Sequence, residues 1–258
     1  MAFATIMTET RGPVGLLTFD RLKTLNALTP DTMGEVAQAL DDFEADPAIR
    51  AIVLTGSAKV FVAGTDITHL KDHTHETIKE DDFIARGLDR LRACAKPTIA
   101  AVAGYAFGSG FEIALICDMI IAADNAKFSL SEVTIGTTPG SGGIQRLAHT
   151  VGKAKTMEMC LTGRIMDAAE AERTGVASRI VPHDNLVEEA IGIGETMERM
   201  SAPVLETIRT VVNQAFETSL SDGIDFERGR YHETYHFKDR AEGMAAFVEK
   251  RHPRFTHE

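Results

Sequence analysis

The 258-residue chain is 44% hydrophobic and 25% charged, ordinary proportions for a globular protein with a substantial buried core. Its net charge of −11 argues against a bulk basic surface for nucleic acid or anionic lipid, while leaving room for local cations that hold a phosphate. Cys94, Cys117 and Cys160 are odd in number and widely spaced, which suits reduced core residues and not a disulfide framework or a zinc site.

The opening stretch "MAFATIMTETRGPVG" has no basic region followed by an apolar one, so no signal peptide is expected and the chain is placed in the cytoplasm. "VGLLTFD", residues 14–20, follows Gly12-Pro13 and reads as a strand. "LTPDTMGEVAQALDDF" reads as a helix: Thr29 is the N-cap, Pro30 takes the first helical position, and Met33, Val36, Leu40 and Phe43 share one face. "AIVLTG", residues 51–56, is a buried strand, and "DDFIARGLDRLRAC" a helix with Phe83, Leu88 and Leu91 inward.

"KPTIAAVAG" is a strand, a buried helix starts at Ser109, and "CDMIIAAD" is the next strand. The run "TIAAVAGYAFGSGFEIALIC" is long enough to span a bilayer, but Gly104, Gly108, Ser109 and Gly110 break it into strand, turn and buried helix. "AKFSLSE" is a short strand before the glycine-rich loop "VTIGTTPGSGG". Helices "IQRLAHTVG", "KAKTMEMCLTG" and "DAAEAERTG" follow, and "ASRIVP" is the last strand. Beyond residue 185 only helices are expected, among them "SAPVLETIRTVVNQAF", with Ser201 as N-cap, and "DRAEGMAAFVEKRH". Strands joined through helices predict parallel α/β sheet. His73 and His75 read as loop residues, and the nine histidines show no metal-ligand spacing.

Three short stretches carry possible chemistry, each with a plain structural reading beside it. Glu112 lies three residues after Ser109, the spacing of a capping box. The same glycine-rich helix start also presents free N–H groups and the positive end of the helix dipole to an anion or a developing oxyanion. In "FVAGTDI", residues 61–67, Asp66 suits an N-cap, or Thr65 offers its amide beside Ala63-Gly64. Glu132 in "FSLSEVTIG" is a helix-start residue or an acid at a site.

Taken together and in this order, these stretches resemble the enoyl-CoA hydratase (crotonase) family. "FVAGTDI" is similar to its A-G-A-D segment, "AAVAGYAFGSGFEIALICDM" to its glycine-rich segment with a following Glu and C-D, and "FSLSEVTIGTTPGSGGIQRL" to its F-x-x-P-E segment. The likeness runs from about Val14 to Phe255. It implies a ClpP/crotonase-like spiral of ββα units over residues 1–195 and a C-terminal helical trimerisation region over 196–258.

The implied activity is reversible syn addition of water to a trans-2-enoyl-CoA, giving a 3-hydroxyacyl-CoA, as in the β-oxidation of fatty acids. Glu112 and Glu132 match the catalytic pair, and the backbone N–H groups of Thr65 and Ser109 match the oxyanion hole. Arg21, Lys23, Thr24, Ala63, Asp66, Ile67 and Gly108 match substrate and CoA positions. Phe247 and Lys250 match residues that reach the adenine end of a CoA held mainly by a neighbouring subunit. A homotrimer, or a homohexamer built as a dimer of trimers, follows. Coenzyme A is part of the substrate, and no metal, redox cofactor, nucleic acid or membrane is implied.

Other crotonase reactions, chiefly enoyl-CoA isomerisation, and a non-catalytic acyl-CoA- or RNA-binding role are the alternatives. Retention of both glutamates favours hydration, and the acidic balance disfavours RNA. The chain departs from the pattern at Leu22 and Ser131, where proline is usual, and at Thr65 and Ser109, where smaller residues stand. At the last two only the backbone N–H is needed, so their side chains are expected to be idle. Phe111 is placed near the acyl pocket. The apolar residues Met244, Ala245, Phe247 and Val248 are expected to be covered by protein.

Overall fold

A computed structural model describes residues 3–258; the first two residues of the opening stretch, and of the expected core, lie outside them. The chain begins with a hairpin absent from the sequence reading. β1 (Ile6–Arg11) turns at Gly12-Pro13 and pairs antiparallel with β2 (Val14–Phe19). Helix α1 (Pro30–Ala45) starts where expected, with the Thr29 hydroxyl accepting from the amide of Thr32, and buries Met33, Val36, Leu40 and Phe43.

Two-strand steps then repeat. β3 (Ala51–Thr55) and β4 (Val60–Val62) lead to α2 (His75–Glu80) and α3 (Phe83–Arg92). β5 (Thr98–Val102) and β6 (Tyr105–Phe107) lead to α4 (Ser109–Ile116). β7 (Met119–Ala123) and β8 (Lys127–Ser129) lead to α5 (Gly143–Val151) and α6 (Lys153–Thr162). β9 (Met166–Asp167), α7 (Ala168–Arg173) and β10 (Arg179–Val181) close the run. The first strand of each step joins a six-stranded sheet, β1-β2-β3-β5-β7-β10, parallel from β2 onward. The second strand joins a four-stranded sheet, β4-β6-β8-β9. This is the spiral of ββα units, and the candidate bilayer-spanning run is β5, β6 and α4. Among the described residues no helix is long and apolar enough to cross a membrane.

The larger sheet is buried on both faces, so its inner strands are mostly apolar and do not alternate with polar residues; the threonines among them, such as Thr55 and Thr98, lie at or near strand ends. Ile52, Leu54, Ala100 and Val102 join the main core with α1, α3 and α4. Val53, Ile99, Ala101 and Ile121 face Leu186, Ala190 and Ile191 of α8 (Leu186–Glu198). The division expected after residue 195 therefore falls inside a helix that packs on the sheet, and the chain leaves the sheet only after it. There α9 (Ala202–Gln214), α10 (Leu220–Glu233) and α11 (Lys238–Glu249) follow. Ser201 stands at the N-cap of α9, but its hydroxyl caps no amide.

One ion pair ties the start of this helical region back to the spiral. Asp118 accepts from the Thr98 amide and hydroxyl and from Arg209 of α9, whose guanidinium also reaches the Cys94 carbonyl. Cys94, Cys117 and Cys160 are free thiols, the first two buried. Phe111 is fully buried and packs on Phe128, with ring centroids 5.2 Å apart, because an inward position on α4 points into the main core.

Candidate active site

The site forms where β4 and β6 end side by side. They pair in parallel up to Val62 and Ala106, and each chain then turns: residues 63–66 into a short 3₁₀ turn, residues 108–109 into α4. The α4 helix can sit this close because residue 110 is glycine. A Cβ there would stand 2.1 Å from the Val62 carbonyl oxygen. The helix is capped by Gly108, whose φ of +53° and ψ of −126° suit glycine alone, and its amide donates to the Ser129 carbonyl at 2.9 Å. Ser109 is therefore the first helical residue and not the N-cap.

Residues 63–66 hang from the loop after β2. Ala63 donates to Leu25 (3.1 Å), Leu28 to Gly64 (2.8 Å) and Asp66 to Leu28 (2.9 Å). These bonds leave out two amides in the segment, those of Gly64 and Thr65. Among the described residues neither the Thr65 N–H nor the Ser109 N–H has a hydrogen-bond acceptor. The Thr65 and Ser109 hydroxyls lie 2.8 Å apart, so the two open donors belong to one small region.

Glu112 sits on the next turn of α4 and is 2% exposed. It makes no capping box. Its Oε1 accepts from the amides of Ser141 and Gly143, both at 2.9 Å. These amides come from the glycine-rich loop, which the sequence reading left without a role. The approach is tight: a Cβ on Gly143 would stand 2.7 Å from Glu112 Cγ. Burial pushes the Glu112 carboxyl above its ordinary range, and the two N–H donors oppose that rise.

Glu132 opens a 3₁₀ turn, Glu132–Ile135, so its plain reading as a helix-start residue holds as well. Its carboxyl reaches back to the α4 cap: a Cβ on Gly108 would lie 3.1 Å from Glu132 Oε1. The other oxygen, Oε2, is buried without a protein hydrogen-bond partner. Burial pushes this carboxyl up to about 7, and the negative field of Glu112 adds to the rise. Both acids thus hold protons more tightly than free glutamates do; two amides of a distant loop oppose the rise at Glu112, and at Glu132 only its own backbone amide does. Acids whose surroundings differ in this way can divide the roles of base and acid.

The expected CoA positions divide. Ala63 and Gly108 line the two turns just described. Asp66 acts as an N-cap, accepting from the Thr68 amide and hydroxyl, and Ile67 starts that turn with 46% exposure. Arg21 is partly committed within the protein. Its guanidinium donates to the Ala27 carbonyl and lies 3.9 Å from Asp66. Thr24 donates to the Arg21 carbonyl, and Lys23 is exposed. Buried Asn26 ties down the loop that carries Leu22, accepting from the Arg21 amide and donating to the Phe61 carbonyl. Phe247 and Lys250 lie on α11 and at its C-cap; Phe247 is 85% exposed.

Residues 9–258 match the family described as Enoyl-CoA hydratase/isomerase. A probable enoyl-CoA hydratase of Mycobacterium tuberculosis, echA8, is 49% identical over 257 residues, covering all of both chains. A mitochondrial enoyl-CoA hydratase of Pongo abelii is 44% identical over 98% of this chain and 88% of that protein. The crystal structure of an enoyl-CoA hydratase from Bacillus anthracis superposes with a TM-score of 0.92 at 30% identity, covering 99% of this chain and 100% of the other.

Proposed function

Since the chain belongs to the enoyl-CoA hydratase/isomerase family, we propose that the cluster of Glu112, Glu132 and the two open amides hydrates a trans-2-enoyl-CoA. One observation carries this reading above others in the family. A buried acid and a half-buried one, both of raised proton affinity, stand beside two N–H groups with no acceptor. Hydration asks for this combination, a base for water, an acid for carbon and donors for an enolate-like oxygen.

In the singly protonated pair, the Glu112 carboxylate takes a proton from water as the water oxygen bonds to the β-carbon. The electrons of the C=C bond pass toward the thioester oxygen, where the Thr65 and Ser109 amides stabilise the charge. Glu132, as the acid, then gives its proton to the α-carbon. Delivery of both parts of water from one carboxyl pair gives syn addition. The pair ends with its proton on Glu112 and resets through solvent. The test is an absorbance assay in water over short and long enoyl-CoAs. Loss of conjugated enoyl-thioester absorbance with 3-hydroxyacyl product supports the reading; double-bond migration without water addition sinks it.

The proton count has a consequence for pH. Forward and reverse reactions use the same net protonation of the pair, so both should follow one bell-shaped profile of kcat/KM. The alkaline limb should set in near pH 7, where Glu132 loses its proton, and then fall about tenfold per pH unit. A profile flat from about pH 6 to about pH 9 would remove Glu132 as the acid.

The reading extends to the C-terminal helices. Leu220, Phe247 and Val248 are 81%, 85% and 79% exposed, more apolar surface than a helical face leaves in water. We take these faces as the contacts of a homotrimer, paired into a hexamer, with Phe247 and Lys250 against the adenine end of a neighbour's CoA. Binding at that end is the same in ground and transition states. Lys250→Glu is therefore expected to raise KM for CoA substrates severalfold with kcat nearly unchanged. An unchanged KM at low salt would remove Lys250 from the CoA site, and a fully active monomer in sedimentation equilibrium would remove the assembly. We take the reaction to be cytoplasmic, a reading that free buried thiols suit.

A further inference from the structure

The hydroxyls of Thr65 and Ser109 were expected to be idle. We propose instead that they form a positioning clamp, a side-chain bond that sets the spacing of the two amides on which the hydratase reading rests. The β4–β6 pairing is irregular at Val60–Val62 and ends there. Beyond it, residues 63–66 are held from one side by the loop at 25–28, and residue 108 from the other by β8. Among the described residues a single hydrogen bond joins residues 63–67 to residues 107–112 past the end of the strands. It is the 2.8 Å contact between Thr65 Oγ1 and Ser109 Oγ. Neither oxygen has a second protein partner there, so the bond is not a by-product of a larger network.

A pair of donors stabilises an oxyanion only while both stay within about 2.7–3.1 Å of it. Two turns anchored to different elements can drift apart by tenths of an ångström, and the hydroxyl bond opposes that drift at the residues that carry the amides. The thioester oxygen draws on both amides most strongly as charge develops. Loss of the clamp therefore weakens the transition state more than the bound substrate, and appears in kcat and not in KM.

The experiment uses the full-length protein with Thr65→Val, Ser109→Ala, the double variant and Thr65→Ser. Its readouts are kcat, KM and the red shift of a bound arylacryloyl-CoA, whose absorbance reports polarisation of the thioester carbonyl. Each single variant should lose about five- to tenfold in kcat with KM within about twofold, and should show a smaller red shift. The double variant should be no worse than the worse single, because both remove one bond. Thr65→Ser, which keeps the hydroxyl, should recover kcat to within about twofold of wild type. Unchanged kcat and red shift in the single variants would overturn the clamp, as would strictly additive losses or a Thr65→Ser as impaired as Thr65→Val. A wild-type protein that neither shifts the chromophore nor hydrates an enoyl-CoA would overturn the hydratase reading itself, a result distinct from any of these.

Discussion

Glu132→Gln is expected to lower the hydration rate at least about 10²-fold while leaving the fold and CoA binding in place. The amide has the shape of the carboxyl but can neither give nor take a proton. Structure gives little reason for it to unfold the protein, since Oε2 has no partner to lose. The pH dependence of stability separates the two effects. Burial raises the folded carboxyl to about 7 from the ordinary 4.5, so the folded state holds this proton more tightly than the unfolded one. The stability tied to that proton is fully present below pH 4.5 and is lost as pH rises through about 7. A neutral glutamine avoids that loss. The variant should therefore be inactive yet at least as stable as wild type above pH 7, measured by thermal unfolding and by hydration rate.

Glu112→Gln should be as slow, by at least about 10²-fold, for the loss of the base. The glutamine carbonyl can still accept from Ser141 and Gly143, so the loop around Glu112 should keep its place. Near-wild-type hydration in either variant would remove that residue from the catalytic pair. For Glu112 it would leave only a structural role, the anchor of residues 141–143.

What could be read from the sequence depended on how far each signal reached along the chain. The start of α1 was legible because Thr29, Pro30 and the buried stripe all lie within one segment. β3 and β5 were legible because burial on both faces makes all but one terminal threonine of each apolar. β1 was missed because its residues beyond Ile6 are mostly exposed, and α10 because it buries none of its residues and so shows no stripe. α2 was missed for the same reason, although Thr74 and Thr77 cap it reciprocally. β6 and β9 are too short to show any period.

The site divides along the same line. Asp66 and Glu132 kept their local readings as turn-start residues while also lying at the site, because a cap and a catalytic position make no conflicting demands. Glu112 could not keep its local one. The capping-box spacing was present, but amides 29 and 31 residues away compete for the same oxygen. The glycine-rich loop was the only sign of them, and composition does not say what a loop's amides point at. The Thr65–Ser109 bond spans 44 residues and had no local sign at all.

Ser109→Pro should cost the largest factor of any change at residue 109, at least about 10²–10³ in kcat, because it deletes one of the two amide donors. Proline is usually a poor probe, since it breaks helices. Here the position is the first of α4, where the ring's fixed φ suits the helix and the missing N–H has no intrahelical partner to lose. The residue before a proline is pushed toward an extended conformation. Gly108, at φ +53° and ψ −126°, already occupies the mirror image of one, which glycine adopts freely. The helix should therefore form, and the melting temperature should stay close to wild type. Ser109→Ala supplies the control, since it removes the same hydroxyl but keeps the amide. The gap between the two variants in kcat measures the N–H alone. If Ser109→Pro folds and retains the activity of Ser109→Ala, the Ser109 amide carries no charge in the transition state and the oxyanion must be held elsewhere. If the gap is present and the red shift of the bound arylacryloyl-CoA falls with it, the donor acts on the thioester carbonyl in the ground state as well as in the reaction.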